Sequence, residues 1–435
     1  MTSFVTSLLS PVRVTQRDKI ARLPLVPTSF AHRLDVVQPS VTLAMNARAA
    51  ELRAKGADVF AFGVGEPDFE PPPLVIEAAR KALDTGVSKY TAVTGIPALK
   101  QAICARTAAV RGWTPRPSQV TVAIGAKHAL FNLALTLYEK GDEVIIPAPY
   151  WVSYPEQVKL CGAEPVIVQT DEASGFKMSP AAFEKALTPR TKAVILCTPS
   201  NPTGSAYNEA ELRALVEVWK KSDSWLIVDE IYADLVYDGF KQVSAATMVA
   251  DSDARDRIII VDGVSKTYAM TGWRIGWSIA PERVAKNLDM VQGQSTTNAT
   301  AIAQHAAVAA LTGPQEEVER MRSAFEKRRG VMVEGLRSIP GVKCRMPEGA
   351  FYAFADCRSL YTATSGIEYK GKPIVTDEDV AFFLLDEAHV AAVPGGAFGA
   401  PGYVRFSYAT SEERIKSGIA SIKRAIEASQ SKART

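Results

Sequence analysis

The stretch Val261-Asp-Gly-Val-Ser-Lys-Thr-Tyr-Ala-Met-Thr-Gly-Trp-Arg-Ile-Gly276 is the part of the sequence around which the rest is organised. It follows an apolar run at 258–261 that is rich in β-branched residues and too short for a buried helix, so we predict a strand inside a sheet. The chain then presents Lys266, with Arg274 eight positions further on. A lysine and an arginine near a strand end suit a ligand that carries a carbonyl and a phosphate. Lys266 could equally be a solvated lysine near a helix start, so the rest of the sequence has to decide.

The composition is that of an ordinary soluble globular protein. The 435 residues are 47% hydrophobic and 22% charged, and their number favours two domains. A formal net charge of +3 without a basic block disfavours a nucleic-acid partner, and no apolar stretch is long enough to predict a membrane span. The four histidines lie far apart in the sequence, so we expect no metal site.

The cysteines and the N-terminal residues bear on the compartment. Five cysteines, an odd number without a C-x-x-C pair, indicate free thiols in a reducing compartment, and we expect a cytoplasmic protein. Residues 1–30 are rich in Ser, Thr, Val and Arg, with Asp18 the only acid. Their composition fits a loose N-terminal extension and, as a minor alternative, an organelle transit peptide.

Between residues 120 and 280, short apolar runs alternate with helical patterns. This alternation is typical of a mostly parallel sheet covered by helices on both faces. Seven segments have the length and β-branched content of strands: 120–124, 143–146, 165–168, 193–197, 225–228, 257–261 and 273–280. We therefore predict an α/β fold with a mostly parallel seven-stranded sheet in a large domain.

The C-terminal part predicts a second, smaller α+β domain. A long amphipathic pattern at 314–338 leads into short strand patterns and a final helix from 411 to about 429. A helical pattern at 40–55 and a short strand at 59–62 are expected to pack with this domain. The predicted organisation is a flexible extension at 1–34, an N-terminal segment at 35–70, a large domain at 71–325 and a small domain at 326–435.

The ends of the predicted strands carry the functional information, because ligands of open α/β sheets bind beyond the carboxyl ends of the strands. After the strand at 120–124, Gly125-Ala126-Lys127 opens a helix whose free N–H groups can hold a phosphate. The later strand ends deliver Trp151, Asn201, Asp229, Tyr232, Ser265, Lys266 and Arg274. Each of these has an ordinary structural interpretation on its own, but their occurrence at successive strand ends predicts one shared site.

This set of side chains has the chemistry that pyridoxal 5′-phosphate requires. Lys266 would be the Schiff-base lysine and, once displaced, would move a proton at the substrate α-carbon. Asp229 would keep the pyridine nitrogen protonated. The other contacts would be Trp151 on the ring face, Asn201 and Tyr232 on the ring oxygen, and Gly125, Ala126, Ser265 and Arg274 on the phosphate.

Over nearly all of residues 35–425 the sequence resembles the class I/II aminotransferase family of fold-type I pyridoxal-phosphate enzymes. The motifs that carry the resemblance are Gly65-Glu-Pro-Asp-Phe, Lys89-Tyr90, Pro149-Tyr-Trp151, Ser200-Asn-Pro-Thr-Gly204, Asp229-Glu-Ile-Tyr232, Ser265-Lys266, Gly272-Trp-Arg274 and Arg405-Phe-Ser. They are most similar to the bacterial aspartate/prephenate aminotransferase branch, subgroup Ib.

The resemblance implies further roles. Arg405 would hold the substrate α-carboxylate through a two-pronged ion pair, and the backbone of Gly65 would contact the same group. Tyr90 would reach the phosphate of a neighbouring subunit, which implies a homodimer with shared active sites. Lys127 falls where this branch contacts a side-chain carboxylate. Gln38 stands where relatives often have a lysine or threonine, so the amino donor and acceptor stay open.

The activity that the resemblance implies is a ping-pong transfer of the amino group from L-aspartate to 2-oxoglutarate. Trp151 and Asn201 would also border the substrate in this reaction. An aromatic-amino-acid or prephenate aminotransferase is the alternative, and a pyridoxal-phosphate lyase is less favoured, because a fold does not by itself determine a reaction. A cofactor-binding regulator ranks last, because the residues before Ser40 are too few and irregular to form a DNA-binding domain.

Overall fold

The structure, a computed structural model, describes residues 30–37, 41–250 and 252–433. The prediction for Gln38 and most of the predicted extension at 1–34 lie outside the described residues. The α-helices are α1 (Val41–Ala54), α2 (Pro73–Asp84), α3 (Pro97–Arg111), α4 (Ala126–Leu137), α5 (Ser153–Leu160), α6 (Pro180–Ala186), α7 (Glu209–Trp219), α8 (Val264–Thr267), α9 (Glu282–Gly293), α10 (Ala301–Thr312), α11 (Glu316–Arg337), α12 (Thr362–Ser365), α13 (Asp377–Ala388) and α14 (Glu412–Ala433).

The strands are short and fall into one large sheet and three smaller ones. They are β1 (Phe60–Ala61), β2 (Val120–Ala123), β3 (Glu143–Pro147), β4 (Glu164–Val168), β5 (Thr191–Cys197), β6 (Trp225–Asp229), β7 (Ile258–Gly263), β8 (Gly276–Ile279), β9 (Lys343–Cys344), β10 (Tyr352–Asp356), β11 (Glu368–Tyr369), β12 (Lys372–Pro373), β13 (Val390–Ala391), β14 (Val393–Pro394) and β15 (Tyr403–Ser407).

The large sheet contains seven strands in the order β2-β8-β7-β6-β5-β3-β4. Only β8 runs antiparallel to its neighbours in this sheet. The predicted mostly parallel seven-stranded sheet is therefore confirmed, and the predicted strand positions agree within a few residues. Because six strands point the same way, their carboxyl ends share one edge of the sheet.

Both faces of the large sheet are buried, which is why its strands read as nearly continuous apolar runs. Along β5, Val194 and Leu196 join an apolar cluster with α2, α3, α7 and α10. Ala193 and Ile195 face the other way, into a cluster with α4, α5 and α9. The alternation of side chains along each strand thus fills two separate cores.

A four-stranded antiparallel sheet, in the order β14-β15-β10-β9, forms the centre of the smaller unit. Helix α11 packs on β9 and β10, α13 packs on β14 and β15, and α14 packs against both of these helices. The apolar cluster of this unit also contains Ile231, Tyr232 and Leu235, which follow β6 of the large sheet. The carboxyl edge of the large sheet is therefore joined directly to the smaller unit.

The N-terminal segment lies against this smaller unit. Strand β1 pairs in parallel with β13, and Met45 of α1 packs with Leu385 of α13. The Arg48 guanidinium donates a hydrogen bond to Asp386 at 3.0 Å. Helix α11 runs without a break across residue 325, so the division of the chain at that residue stays a prediction. Among the described residues no helix is long and apolar enough to cross a membrane.

Candidate active site

A cavity of about 680 Å³ lies at the carboxyl edge of the large sheet, where the smaller unit covers it. The structure brings nearly all of the predicted site residues to its wall. These are Gly65, Ala126, Lys127, Trp151, Asn201, Asp229, Tyr232, Ser265, Lys266, Arg274 and Arg405. Gly125 lies directly beside Arg274. Tyr90 does not line the cavity, and its side chain is 88% exposed.

The direction of the strands explains this convergence. Asp229 ends β6, Lys266 follows β7, and Asn201 follows β5, and these three strands are parallel neighbours. Arg274 comes just before β8, the antiparallel strand. Because β8 runs the opposite way, its beginning lies at the same edge as the ends of the others.

Lys266 lines the cavity and belongs to the single turn of α8. It donates a hydrogen bond to the carbonyl oxygen of Gly65 at 2.7 Å. Burial lowers the pKa of Lys266 to about 8, and two nearby arginines act in the same direction, while the carboxylates of Glu66 and Asp229 oppose them. A substantial fraction of this amine is therefore neutral near physiological pH and can act as a nucleophile or a base.

Asp229 is 4% exposed and pairs with no cation among the described residues. Its Oδ2 accepts a hydrogen bond from the Tyr154 hydroxyl at 2.7 Å, and its Oδ1 accepts one from the backbone N–H of Ile231 at 3.2 Å. Burial raises the pKa of Asp229 to about 6, although these two hydrogen bonds favour the charged form. A buried carboxyl group of this kind is suited to hold an N–H group of a ligand.

Three other carboxylates near the ends of β6 and β7 do not line the cavity. Glu230 and Asp262 lie with Asp234 around the Arg111 guanidinium, whose Nη1 is 2.8 Å from an Asp234 oxygen. Arg111 thereby compensates several buried carboxylates behind the site. Asp229 is left as the buried acid that faces the ligand side.

Arg405 is a buried guanidinium, 5% exposed, that has no carboxylate partner within the described part of the chain. Its Nη1 donates to Asn201 Oδ1 at 2.8 Å and its Nη2 to the Gly63 carbonyl oxygen at 2.9 Å, while Nε has no partner. The guanidinium also lies 4.5 Å from the ring centroid of Tyr352 and 5.0 Å from that of Phe398. Burying a charge without a counter-ion is costly, so this position indicates an anionic ligand.

The beginning of α4 forms a second anion-binding position. Gly125 has a φ of +81°, and a Cβ added there would lie 2.7 Å from Arg274 Nη2. A Cβ on Gly276 would lie 2.3 Å from the backbone nitrogen of Ala126, so β8 can approach the helix end only with glycine there. Arg274 donates to the Thr271 carbonyl oxygen at 2.8 Å and forms no ion pair with a described residue. A helix N-terminus beside an unpaired arginine suits a phosphate.

Trp151 and Lys127 form the side wall of the cavity. The Lys127 amine lies 5.0 Å from the centre of the Trp151 ring, and the ring meets Tyr154 edge to face at 5.3 Å. The enclosed position of the amine and the charge of Arg274 lower the pKa of Lys127. This wall places an aromatic face and a cation in the cavity that holds Lys266.

Sequence reasoning assigned no role to several residues of the site. Tyr154 lies one helical turn beyond Trp151, and this spacing could have indicated it. Gly276 ends the opening motif, and a glycine at that position could have predicted a close approach of two backbone segments. Glu66 stands inside a quoted motif without an assigned role. Tyr352 had no local signal, because it reaches the cavity through a strand of the smaller unit.

Comparisons with known proteins identify close relatives of this chain. A family model described as "Aminotransferase class I and II" matches residues 57–422. The chain is 47% identical to an aspartate aminotransferase of Geobacillus stearothermophilus over 92% of this chain and 99% of that protein. It is 46% identical to an aspartate/prephenate aminotransferase of Cereibacter sphaeroides over 89% of this chain and 96% of that protein.

Solved structures agree with these sequence relatives. The aspartate aminotransferase of Rhizobium meliloti superposes with a TM-score of 0.87 at 42% identity, covering 92% of this chain and 99% of that one. The Thermus thermophilus aspartate aminotransferase with maleate gives a TM-score of 0.84 at 40% identity, covering 91% and 99%. Both likenesses extend over both parts of the fold described above.

The lowered pKa of Lys266 predicts unusual reactivity for this one amine. In protein freed of bound small molecules, we expect the rate of reductive methylation of Lys266 to rise with pH and to reach half its maximum at about pH 8. Mass spectrometry of the Lys266 peptide over a pH series measures this rate, and Lys266→Met identifies the signal. Asp229→Asn should move the midpoint to lower pH, because the carboxylate raises the amine pKa. A midpoint at the ordinary lysine value of 10.5 would contradict the assignment.

Proposed function

Since the chain belongs to the class I and II aminotransferase family, we propose that it is an aspartate aminotransferase. It transfers the amino group of L-aspartate to 2-oxoglutarate in two half-reactions, releasing oxaloacetate and L-glutamate. The observation that carries this proposal is the placement of Arg405 and Lys127 in one cavity with Lys266, because a dicarboxylic substrate needs two cationic positions. The Thermus thermophilus relative was solved with maleate, itself a dicarboxylate.

The cofactor of this family is pyridoxal 5′-phosphate, and the residues of the cavity fit it. Asp229 would hold the pyridine N–H, since it is a buried carboxyl group with no cation of its own. Arg274, Ser265 and the backbone N–H groups at the beginning of α4, next to Gly125, would hold the phosphate. The close approach of Gly276 to the backbone of Ala126 leaves no space for a side chain at position 276. When bound, the cofactor supplies an electron sink for the negative charge left on the substrate α-carbon.

Arg405 is the residue that binds and orients the substrate. Its guanidinium is already held by Asn201 and the Gly63 carbonyl, so it does not have to be ordered when a carboxylate arrives. A bidentate pair with the α-carboxylate would supply the missing counter-ion. Lys127 would bind the side-chain carboxylate, and the backbone of Gly65 would border the α-carboxylate.

Lys266 transfers the proton that the substrate α-carbon loses. Burial keeps its pKa at about 8, so its amine can take the proton from the substrate α-carbon and return it at a neighbouring atom. Without the cofactor, the amine donates a hydrogen bond to the carbonyl oxygen of Gly65. A pKa close to the working pH makes the amine effective both as a base and, once protonated, as an acid.

The remaining side chains would position the ring of the cofactor. Asp229 would hold a proton on the ring nitrogen, and Tyr154 donates a hydrogen bond that fixes the orientation of the Asp229 carboxylate. Trp151 would cover one ring face and border the substrate. Asn201 and Tyr232 would donate hydrogen bonds to the ring oxygen, which stabilises negative charge on that atom.

A prephenate aminotransferase is the second candidate. The Cereibacter sphaeroides relative is named for both aspartate and prephenate. In this chain, aromatic rings of Trp151, Tyr352 and Phe398 line the same cavity as Arg405. Gln38, which could bear on this choice, lies outside the described residues.

We infer that the enzyme works as a cytoplasmic homodimer. The exposed ring of Tyr90 supports a dimer, because it lies outside its own cavity and would complete the phosphate site of the neighbouring subunit. The five cysteines, all of them free thiols, support a reducing compartment.

The first prediction of this proposal concerns the cofactor. Added pyridoxal 5′-phosphate should give the protein a visible absorbance band, because the Lys266 amine bonds to its carbonyl. The Lys266→Ala variant should still bind the cofactor through its phosphate group but lack the band. Spectroscopy of both proteins after dialysis checks this, and a wild type that stays colourless would overturn the proposed function.

The second prediction concerns the substrate. Single-turnover spectra should show that aspartate and glutamate change the band faster than phenylalanine. Lys127→Met should lower kcat/KM for aspartate by about 10-fold or more and leave phenylalanine nearly unchanged, since only one charged contact is lost. Arg405→Lys should raise KM for all of them, by roughly 10–100-fold, because the bidentate pair is lost. A wild type that converts phenylalanine and ignores aspartate would exclude the dicarboxylate assignment.

The third prediction concerns the dimer. If Tyr90 completes the partner's site, a mixed dimer of a Lys266→Ala subunit and a Tyr90→Ala subunit has one intact site and one doubly altered site. Mixing the two weakly active variants under subunit exchange should therefore raise the activity well above that of either one. Activity that stays at the mean of the two variants would show that Tyr90 serves its own subunit.

A further inference from the structure

Tyr352 occupies a position that links the cofactor side of the cavity to the substrate side. It lies on β10 of the smaller unit, is 1% exposed and lines the cavity. Its hydroxyl is 2.9 Å from the hydroxyl of Tyr232, a residue 120 positions earlier in the chain. The same ring lies 4.5 Å from the Arg405 guanidinium. One side chain thus touches both a ring-oxygen donor and the carboxylate-binding cation.

The direction of the hydrogen bond between the two tyrosines follows from simple counting. Either hydroxyl could be the donor in the protein alone, and each has a single proton. If Tyr232 donates its proton to the cofactor ring oxygen, it has none left for Tyr352. Tyr352 must then be the donor, and Tyr232 accepts from it.

We propose that Tyr352 is a positioning residue, whose hydroxyl donates to Tyr232 and so directs the Tyr232 proton into the cavity, while its ring supports Arg405. The proposal rests on the proposed function, because the ring oxygen belongs to the cofactor. A phenol that accepts a hydrogen bond is a stronger donor to its other partner. Tyr352 therefore strengthens the hydrogen bond from Tyr232 to the ring oxygen.

The surroundings keep Tyr352 able to donate. Burial raises the pKa of Tyr352, and the charge of Arg405 only partly opposes this, so the hydroxyl keeps its proton at neutral pH. The other titratable groups that face it are Tyr232, Cys197 and Glu66. Burial also holds the pKa of Tyr232 well above its ordinary value.

The charged groups around Lys266 set the pKa that a hydrogen bond from Tyr232 would shift. Asp229, Glu66, Arg274 and Arg405 all face the amine. A hydrogen bond to the ring oxygen lowers the pKa of the Lys266 nitrogen, as the two arginines do. It does so because it stabilises the negative oxygen that remains when this nitrogen loses its proton. A weaker bond from Tyr232 should therefore raise the pKa at which the holoenzyme absorbance band titrates.

The test is a pH titration of the visible band of the holoenzyme. Tyr352→Phe keeps the ring over Arg405 and removes only the hydroxyl. We expect the midpoint to rise by about 0.5–1 pH unit, with KM for aspartate changed by less than about twofold. Tyr408→Phe is the matched control, since Tyr408 is equally buried and donates to the Ala350 carbonyl oxygen outside the cavity. Its midpoint should equal that of the wild type.

Two further variants separate the roles of the hydroxyl and the ring. Tyr352→Leu should show the same rise of the midpoint together with a KM for aspartate raised by about 10-fold, because the support of Arg405 is lost. In a Tyr232→Phe background, Tyr352→Phe should produce no additional shift, since the two hydroxyls act in series.

An isosteric change keeps the proposal testable if Tyr352→Phe does not fold. Tyr352→3-fluorotyrosine makes the donor more acidic and should lower the midpoint. Unchanged midpoints in Tyr352→Phe or in the fluorinated protein, beside a wild type that titrates normally, would overturn the role of Tyr352 alone. A wild type without a visible band would instead overturn the proposed function.

Discussion

Desolvation of charged groups at one edge of an apolar sheet is the constraint on which the active site depends. Lys266, Asp229 and Arg405 are all enclosed, and none of them has an ion-pair partner among the described residues. Burial lowers the pKa of Lys266 to about 8 and raises that of Asp229 to about 6. The folded chain carries this electrostatic cost, and the proposed ligands would supply the missing counter-ions.

The fold can offset the free-energy cost of these buried charges because its remaining interior is apolar and closely packed. The large sheet is buried on both faces, and Arg111 compensates the carboxylates of Glu230, Asp234 and Asp262. Polar contacts hold the charged groups in fixed orientations, as Tyr154 does for Asp229 and Asn201 for Arg405. The site is therefore organised before any ligand binds, which reduces the reorganisation that binding requires.

The smaller unit contributes to the site as well as covering it. Arg405 and Tyr352 come from neighbouring strands, since β15 and β10 pair in antiparallel register. Tyr232, which follows β6 of the large sheet, packs in the core of the smaller unit, and its hydroxyl lies beside that of Tyr352. The residues proposed to bind the substrate and those proposed to bind the cofactor thus meet across a shared apolar cluster.

The sequence by itself determined the α/β class, the seven strands and most of the site. Lys266, Asp229 and Asn201 could be placed together because parallel strands end at one edge, and strands are recognisable from local β-branched runs. Tertiary structure alone decided the contacts of Tyr352, since they depend on the register of β10 against β15 and on residues 120 positions apart. It also decided the pKa values, because burial is a property of the whole fold that no local pattern contains.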